Sequence, residues 1–483
     1  MSKIIKLLKN KILCYVLSRY LVYGIQFLSL TLVANKLGTY NYGIWGFALL
    51  LISYLNIFNF GIGNSINVYI VQLKNRLDDT KDYIASSFAA VVILVGILVL
   101  ISIIYTFCPA IIPAKYPLHI LFYGILTIGA LQYFNIVMSN IYRAQNRLGE
   151  LAIYQSSIPI AVLICALNFE GAQLINALII SYIIAHAFSL SIFIFRKGYP
   201  RGGHVKVNLV KNIFKKGFFL FLYNACFYLI LNSTSTLVSL NYTVVEYGMY
   251  SLSYTLGHSI LLLMEAFTFI VFPKVVDRFY TGDLETIKSV ITSIRTNYVT
   301  LAHGLIYSAI IFFPLIVRIF PNFNGALLPL NLMVLAIVLS TNSFGFNTLL
   351  IARNKEKTCA SISMISLLAA IVIGLILAKV FVVSYYYMTF GIAISYIIFA
   401  ILCSQAAQKL IYGKVNVNII YSIFPRALII PYLAAIIITI INISSLYFIP
   451  LGIYILLNRK PIKTISNTLK QIIKRPKFVD IGQ

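Results

Sequence analysis

Few groups in this sequence can carry charge inside apolar surroundings, and those few are its first candidates for chemistry. Of the twelve acidic residues, Glu265 alone lies deep in a long apolar run, with His258 seven residues earlier on the same helical face. A carboxyl so placed either exchanges a proton or binds a cation such as Na⁺, or else stays neutral and hydrogen-bonded as a packing group. Arg19 interrupts the first apolar run. An arginine fork matches phosphate oxygens in a bidentate way; its alternative is to stretch its charged end back to the lipid headgroups. Arg143 and Arg353 close two later runs of similar sequence, and Arg318 stands near the end of another. Asn56, Asn59, Asn64 and Asn67 advance by 3, 5 and 3 residues, which keeps them roughly on one helical face, with Gly61 and Gly63 between them. Such amides bind hydroxyl-rich ligands or draw helices together in lipid, and Asn224, Asn232, Asn342 and Asn347 invite the same two readings. His186 and His303 are single histidines in apolar runs, expected as satisfied packing groups. No phosphate-binding glycine loop, zinc-ligand cluster or nucleophile elbow occurs, so neither enzymatic activity nor a cofactor is expected.

The elements that must position these groups follow from composition. The chain is 60% hydrophobic with a mean hydropathy of +0.92 and only 10% charged residues, more apolar surface than one water-soluble core can hide. A helix needs about 20 apolar residues to cross a bilayer. Read in those units, the sequence predicts spans at 12–34, 43–72, 83–108, 118–142, 151–168, 173–195, 217–240, 249–272, 297–320, 325–351, 359–381, 386–408, 421–442 and 444–458. The last two are short and contain Pro431 and Pro450, consistent with two helices, a re-entrant hairpin or one broken span.

The net charge of +26 lies in short Lys and Arg clusters between the apolar runs, with no continuous basic face, which argues against a nucleic-acid partner. With a cytoplasmic N-terminus, the inner loops and tails take all the Lys and Arg residues but five. Lys36, Lys115, Arg318 and Lys379 fall on the outer side and Arg19 within the first span, so both termini are expected inside. The basic start of the chain is expected to be retained, because no small-residue cleavage pattern follows. The two amphipathic tails are expected to lie on the anionic inner leaflet. Six cysteines, widely spaced and without a CxxC pair, read as packing thiols.

The punctuation between spans repeats. Asn41-Tyr42-Gly43-Ile44-Trp45 has its echo in Glu246-Tyr247-Gly248-Met249-Tyr250, 205 residues on, each on the outer side. The inner stretch Arg76-Leu77-Asp78-Asp79-Thr80-Lys81 parallels Arg278-Phe279-Tyr280-Thr281-Gly282-Asp283, and Ile141-Tyr142-Arg143-Ala144-Gln145-Asn146-Arg147 parallels Leu350-Ile351-Ala352-Arg353-Asn354-Lys355. Six spans fit the offset. An even number per repeat gives two halves of one orientation, related by an axis along the membrane normal. The expected organisation is an all-α polytopic membrane protein with a six-helix lobe over 1–200, a second over 201–410, an extra helical pair over 411–458 and a basic tail over 459–483.

The Leu37-Gly38 and Tyr42-Gly43 pairs, the Tyr247-Gly248 echo, the turn from Tyr142 to Arg147 and the twelve-plus-two layout resemble the polysaccharide transport family. That family includes Wzx-type O-antigen flippases and sits in the multidrug/oligosaccharidyl-lipid/polysaccharide exporter superfamily. The resemblance implies two lobes alternating access to a partly cationic cavity in the bacterial inner membrane. It implies an undecaprenyl-diphosphate-linked oligosaccharide as substrate, carried from the cytoplasmic to the outer leaflet for O-antigen or related surface polysaccharide, with H⁺ or Na⁺ as coupling ion. A polysaccharide polymerase and a chain-length regulator are the expected partners. Arg19, Arg143 and Arg353 would then meet the diphosphate, Arg318 the exit path, Asn56, Asn59 and Asn224 the sugar, and Glu265 with His258 the coupling ion. Two other readings stay open. A drug or cation antiporter of the related exporter type would favour acids in the cavity, where basic candidates outnumber the one acid. A membrane polymerase or ligase would require a large outer loop, whereas the outer loops here are short.

Overall fold

The computed structural model describes residues 11–63, 65–66, 77–145, 147–196, 202–415 and 423–465; among these, the side chains at 11–17, 77–78, 111, 216–217, 262–263, 265–274, 277 and 281 lie outside the description. Every regular element among the described residues is helical. The helices run α1 (Lys11–Ile57), α2 (Leu77–Phe107), α3 (His119–Ala144), α4 (Leu148–Asn168), α5 (Gly171–Phe195), α6 (Val207–Asn241), α7 (Val244–Thr281) and α8 (Leu284–Ile294). They continue as α9 (Thr300–Arg318), α10 (Leu327–Val338), α11 (Phe346–Ala352), α12 (Glu356–Leu375), α13 (Thr389–Tyr412), α14 (Arg426–Ile441) and α15 (Phe448–Leu457).

Ten helical stretches among the described residues are long and apolar enough to cross a membrane. Their outward faces are as apolar as their packed ones. On α2 the exposed positions include Val92, Ile93, Ile97, Leu100, Ile103 and Ile104. A helix apolar all round is at home only in a core or in lipid, and lipid is the solvent these side chains require.

The chain divides into two compact units, 1–225 with 243–248, and 226–242 with 249–483. In the first unit, α3, α4 and α5 are knitted by buried polar contacts. Asn135 Nδ2 donates to the His186 carbonyl at 2.9 Å, Tyr142 Oη to the Phe193 carbonyl at 2.7 Å, and the Ser157 and Ser189 hydroxyls meet at 2.9 Å. Met138, Tyr142, Leu151 and Phe193 form the apolar core beside them. The loop 202–206 is strapped onto the start of α2: the His204 N–H donates to Asp82 Oδ1, Lys206 pairs with Asp82, and the Lys206 N–H reaches Ser86 Oγ.

Three expected boundaries move. The first two spans are one helical run, α1, interrupted at Gly38, whose φ of 66° and ψ of 176° lie in a region open essentially to glycine alone. The helix of the second is interrupted after Ile57, where Phe60 and Gly61 both take positive φ and turn the chain; helix returns at 62–63 and 65–66, and the expected end at 72 lies outside the described residues. Residues 273–296, read as a loop, are mostly helical: α7 continues to Thr281, and α8 starts at Asp283, whose carboxylate caps the Thr286 N–H at 2.9 Å.

The last pair is two separate helices. Asn442, in the left-handed conformation, closes α14, and a short 3₁₀ turn over Ser444–Leu446 leads into α15. Pro431 cannot donate to the Ala427 carbonyl one turn back; Asn458 Nδ2, at the end of α15, does so at 2.8 Å and ties the two helices together. Tyr432 Oη donates to the Leu335 carbonyl of α10 and Tyr454 Oη to the Thr300 carbonyl of α9, so the pair is part of the second unit's packing.

Candidate functional site

In the first unit, Arg19 sits half-buried on α1 with its guanidinium 5.3 Å from the Tyr23 ring centroid. That contact holds the fork beside an aromatic face. Asn56 and Asn59 do not stand on one continuous helical face, as the spacing suggested. The helix ends at Ile57, and Asn59 builds the turn that ends it, donating from Nδ2 to the Asn56 carbonyl at 2.7 Å and accepting the Gly61 N–H at 2.9 Å. Asn56 is exposed beside it, while Asn64 and Asn67 lie outside the described residues. Asn224 is half-buried on α6. Arg143 is exposed in the last turn of α3; its neighbour Arg147 is the packed one, over the Tyr142 ring and paired with Glu150.

The same unit explains the repeated Tyr-Gly pair. α1 and the first turn of α7 cross so closely that a Cβ at Gly43 would overlap the Val244 carbonyl, and one at Gly248 would overlap the Thr39 carbonyl. The contact is reciprocal, each glycine receiving the carbonyl four residues before the other. Tyr247 Oη donates to the Gly46 carbonyl at 3.3 Å, and Tyr42 and Tyr247 are both fully buried. Small residues let helix backbones approach in lipid. Thr243 and Glu246 cap α7 reciprocally at this point, the Thr243 N–H donating to Glu246 Oε2 and the Glu246 N–H to Thr243 Oγ1.

In the second unit the span expected at 325–351 is a broken helix. α10 gives way to a 3₁₀ turn over Leu339–Ser343, Gly345 takes a φ of 93°, and α11 resumes at Phe346. Two carbonyls at the break and one from the segment before α14 are met by one cation. Arg295 Nη1 donates to the Asn342 carbonyl at 2.6 Å and the Phe344 carbonyl at 3.3 Å, and Nη2 to the Ile423 carbonyl at 3.0 Å. Its guanidinium stacks 4.1 Å from the Phe346 ring centroid. Arg295 itself begins a π-helical turn, Arg295–Val299, joining α8 to α9. The Asn342 side chain continues the network: Oδ1 lies 3.0 Å from His303 Nε2, and His303 Nδ1 lies 3.1 Å from Tyr307 Oη. Broken helices whose freed backbone groups are met by polar side chains are a device of transporter cores.

The remaining sequence candidates are dispersed. His258 is half-buried on α7 with its ring 5.9 Å from that of Tyr254, and the Glu265 side chain lies outside the description. Arg318 is exposed in the last turn of α9. Arg353, exposed at the end of α11, donates to the Gly282 carbonyl at 2.9 Å. Asn347 Oδ1 accepts the Thr348 N–H, and Asn232 is buried. The residue that sequence reasoning missed is Arg295, counted as a loop charge. The signal for it was the polar run Ser340-Thr341-Asn342-Ser343 followed by Gly345 in mid-span, which leaves carbonyls needing a donor.

A bundle of apolar helices long enough to span a bilayer, with one discontinuous span held by an arginine, is a multi-pass membrane protein in class. The fold is similar to that of a multidrug resistance MATE family transporter of the MOP superfamily (TM-score 0.66, 11% identity, 82% of this chain and 98% of that one). It is similar also to the lipid II flippase MurJ (TM-score 0.67, 12% identity, 95% and 99%). A mutant of the Vibrio cholerae MATE transporter VcmN matches as well (TM-score 0.57, 13% identity, 87% and 99%). No curated protein matches the sequence. The family of polysaccharide biosynthesis proteins matches residues 8–277, more than half of the chain, and this protein belongs to that family.

Proposed function

We propose that this protein is a flippase that moves undecaprenyl-diphosphate-linked oligosaccharide repeat units from the cytoplasmic to the outer leaflet of the bacterial inner membrane, supplying O-antigen or a related surface polymer. The observation that carries this reading is the conjunction of a polysaccharide biosynthesis family with a transporter fold. Transport of a lipid-linked sugar is the step of polysaccharide synthesis that such a fold performs. The charge balance agrees. An anionic diphosphate calls for cations, and Arg19, Arg143 and Arg353 are the candidates to meet it, with Asn56, Asn59 and Asn224 for sugar hydroxyls and Arg318 for release. Glu265, with His258, is the candidate for coupling to H⁺ or Na⁺. The similarity to multidrug transporters supports a drug or cation antiporter as second reading, but organic cations would favour acids over the basic set found here.

The test is complementation. A deletion strain is scored for surface polymer and for accumulated undecaprenyl-linked units, then restored with wild type, Arg19→Ala or Glu265→Gln. The flippase reading expects repeat units held at the cytoplasmic face and two variants that express normally without restoring polymer. Fully assembled units on the outer leaflet of the deletion strain would refute it. If the variants restore polymer as the wild type does, the site assignment fails and the activity stands.

The proposed orientation, with both termini cytoplasmic, places the end of α2 at the outer face. Cys108 is exposed there, whereas Cys226, Cys359 and Cys403 are buried. In a Cys14→Ser background, a membrane-impermeant maleimide is expected to label Cys108 in spheroplasts as fully as after lysis. Labelling that requires lysis would invert the topology.

A further inference from the structure

A cleft of about 430 Å³ opens in the second unit between the second half of α8 with the turn after it, the end of α13, the start of α14 and the end of α15. Its wall is mixed. Ile411, Leu428 and Leu457 line it together with Lys288, Thr296 and Arg295. The π-helical turn contributes to this arrangement, since Arg295, Thr296 and Val299 all line the cleft from one widened turn. Arg295 is committed to the carbonyls of the broken helix and supplies field rather than a hand. Lys288, one-third exposed, pairs with Glu285 and lies 5.2 Å from the Tyr412 ring centroid.

The rim is basic. Lys409 lies between the lining residues Gln408 and Ile411, Arg426 between Pro425 and Ala427, and Arg459 and Lys460 between Asn458 and Pro461. All four are exposed. Against them stand two acids on the same segments, Glu285 paired with Lys288 and Asp283 capping α8. The positive-inside distribution puts these segments at the cytoplasmic side, the level of the anionic inner-leaflet headgroups.

We propose that this cleft binds an anionic phospholipid of the inner leaflet, with its phosphate against Lys288 and one acyl chain against Ile411, Leu428 and Leu457. A basic pocket between transmembrane helices at this depth suits a lipid phosphate, and the adjoining apolar wall discriminates a lipid from a free anion. The bound lipid joins α8, α13, α14 and α15, so it stabilises the second unit by mass action. The site is independent of which substrate the chain carries.

The purified full-length protein, stripped of lipid in neutral detergent, tests this by its thermal unfolding midpoint on titration with four probes: phosphatidylglycerol, phosphatidylcholine, undecaprenyl phosphate and inorganic phosphate. Phosphatidylglycerol is expected to raise Tm, phosphatidylcholine and inorganic phosphate to leave it within error, and any shift from undecaprenyl phosphate to survive Thr296→Trp. Lys288→Gln is expected to remove about half of that shift and Thr296→Trp, which fills the cleft, all of it; Lys379→Gln, outside the cleft, is the control and keeps it. Each shift is taken from that variant's own lipid-free midpoint, and if Thr296→Trp does not fold, Lys288→Gln carries the test. An equal response to phosphatidylcholine, a shift retained by Lys288→Gln, or displacement of phosphatidylglycerol by undecaprenyl phosphate would each overturn the proposal, the last by making the cleft a substrate site. The assay reads lipid binding alone, so its failure would leave the complementation result unchanged.

Discussion

Alanine at Gly43 or Gly248 is expected to destabilise the protein by about 1–3 kcal/mol, the usual cost of forcing a methyl group into a packed contact. The added Cβ meets a backbone carbonyl at each site, Val244 for Gly43 and Thr39 for Gly248, and a carbonyl in a helix cannot swing aside as a side-chain tip does. The helices must separate, which also stretches the hydrogen bond from Tyr247 to the Gly46 carbonyl. Gly24 and Gly96 provide the contrast. Both lie in helices, and a Cβ at either would meet nothing within 4 Å. Alanine there removes only the conformational freedom of glycine in the unfolded chain, and a gain of about 0.5–1 kcal/mol is expected. Thermal unfolding of the four variants in one detergent separates the cases; four equal midpoints would refute the close crossing. Because the first methyl group already spreads the helices, the double variant at 43 and 248 is expected to cost less than the two single changes together.

That pair shows what kind of information the sequence carried. Tyr42-Gly43 and Tyr247-Gly248 were visible as a repeat, and the repeat pointed to duplication, but the reason for glycine appears only once the two segments are found against each other. The membrane spans were legible because hydrocarbon imposes a length on every apolar run, and that length does not depend on tertiary detail. Boundaries failed where a backbone device intervened. Gly38 interrupts α1 without ending it, and the turn at Phe60 and Gly61 ends a helix whose apolar pattern runs on. The amphipathic segment at 284–294 was hidden by its charges, since Lys288 and Arg295 read as loop markers although Ile287, Val290, Ile291 and Ile294 are buried at helical spacing. Ionisable groups were found because charge in an apolar run is conspicuous. Arg295, outside those runs, was not, since the carbonyls it meets lie 47, 49 and 128 positions away and a backbone carbonyl has no signature in a sequence.

Replacing Arg295 is expected to have the larger effect of the two. Arg295→Met keeps much of the aliphatic stem that packs against Gly345 but removes every donor, leaving the carbonyls of Asn342, Phe344 and Ile423 without their guanidinium. Hydrogen bonds to a charged group contribute about 1.5–3 kcal/mol each, so with partial relaxation a loss of roughly 3–5 kcal/mol is expected. Against the total stability of a folded domain that is a large fraction, and much of the purified protein should run as aggregate on size exclusion. Arg295→Lys is expected to recover only part of the loss, because a single ammonium cannot span three carbonyls that a planar fork reaches together. Asn342→Ala gives the complementary result. It leaves the Asn342 carbonyl and its bond to Arg295 in place and removes only the side-chain contact to His303, so a cost near 1 kcal/mol is expected. Thermal midpoints ordered wild type, Asn342→Ala, Arg295→Lys, Arg295→Met would identify the backbone carbonyls as what Arg295 holds. If Arg295→Met unfolds with the wild type yet fails to restore surface polymer, the guanidinium acts on substrate instead, and the broken helix stands without it.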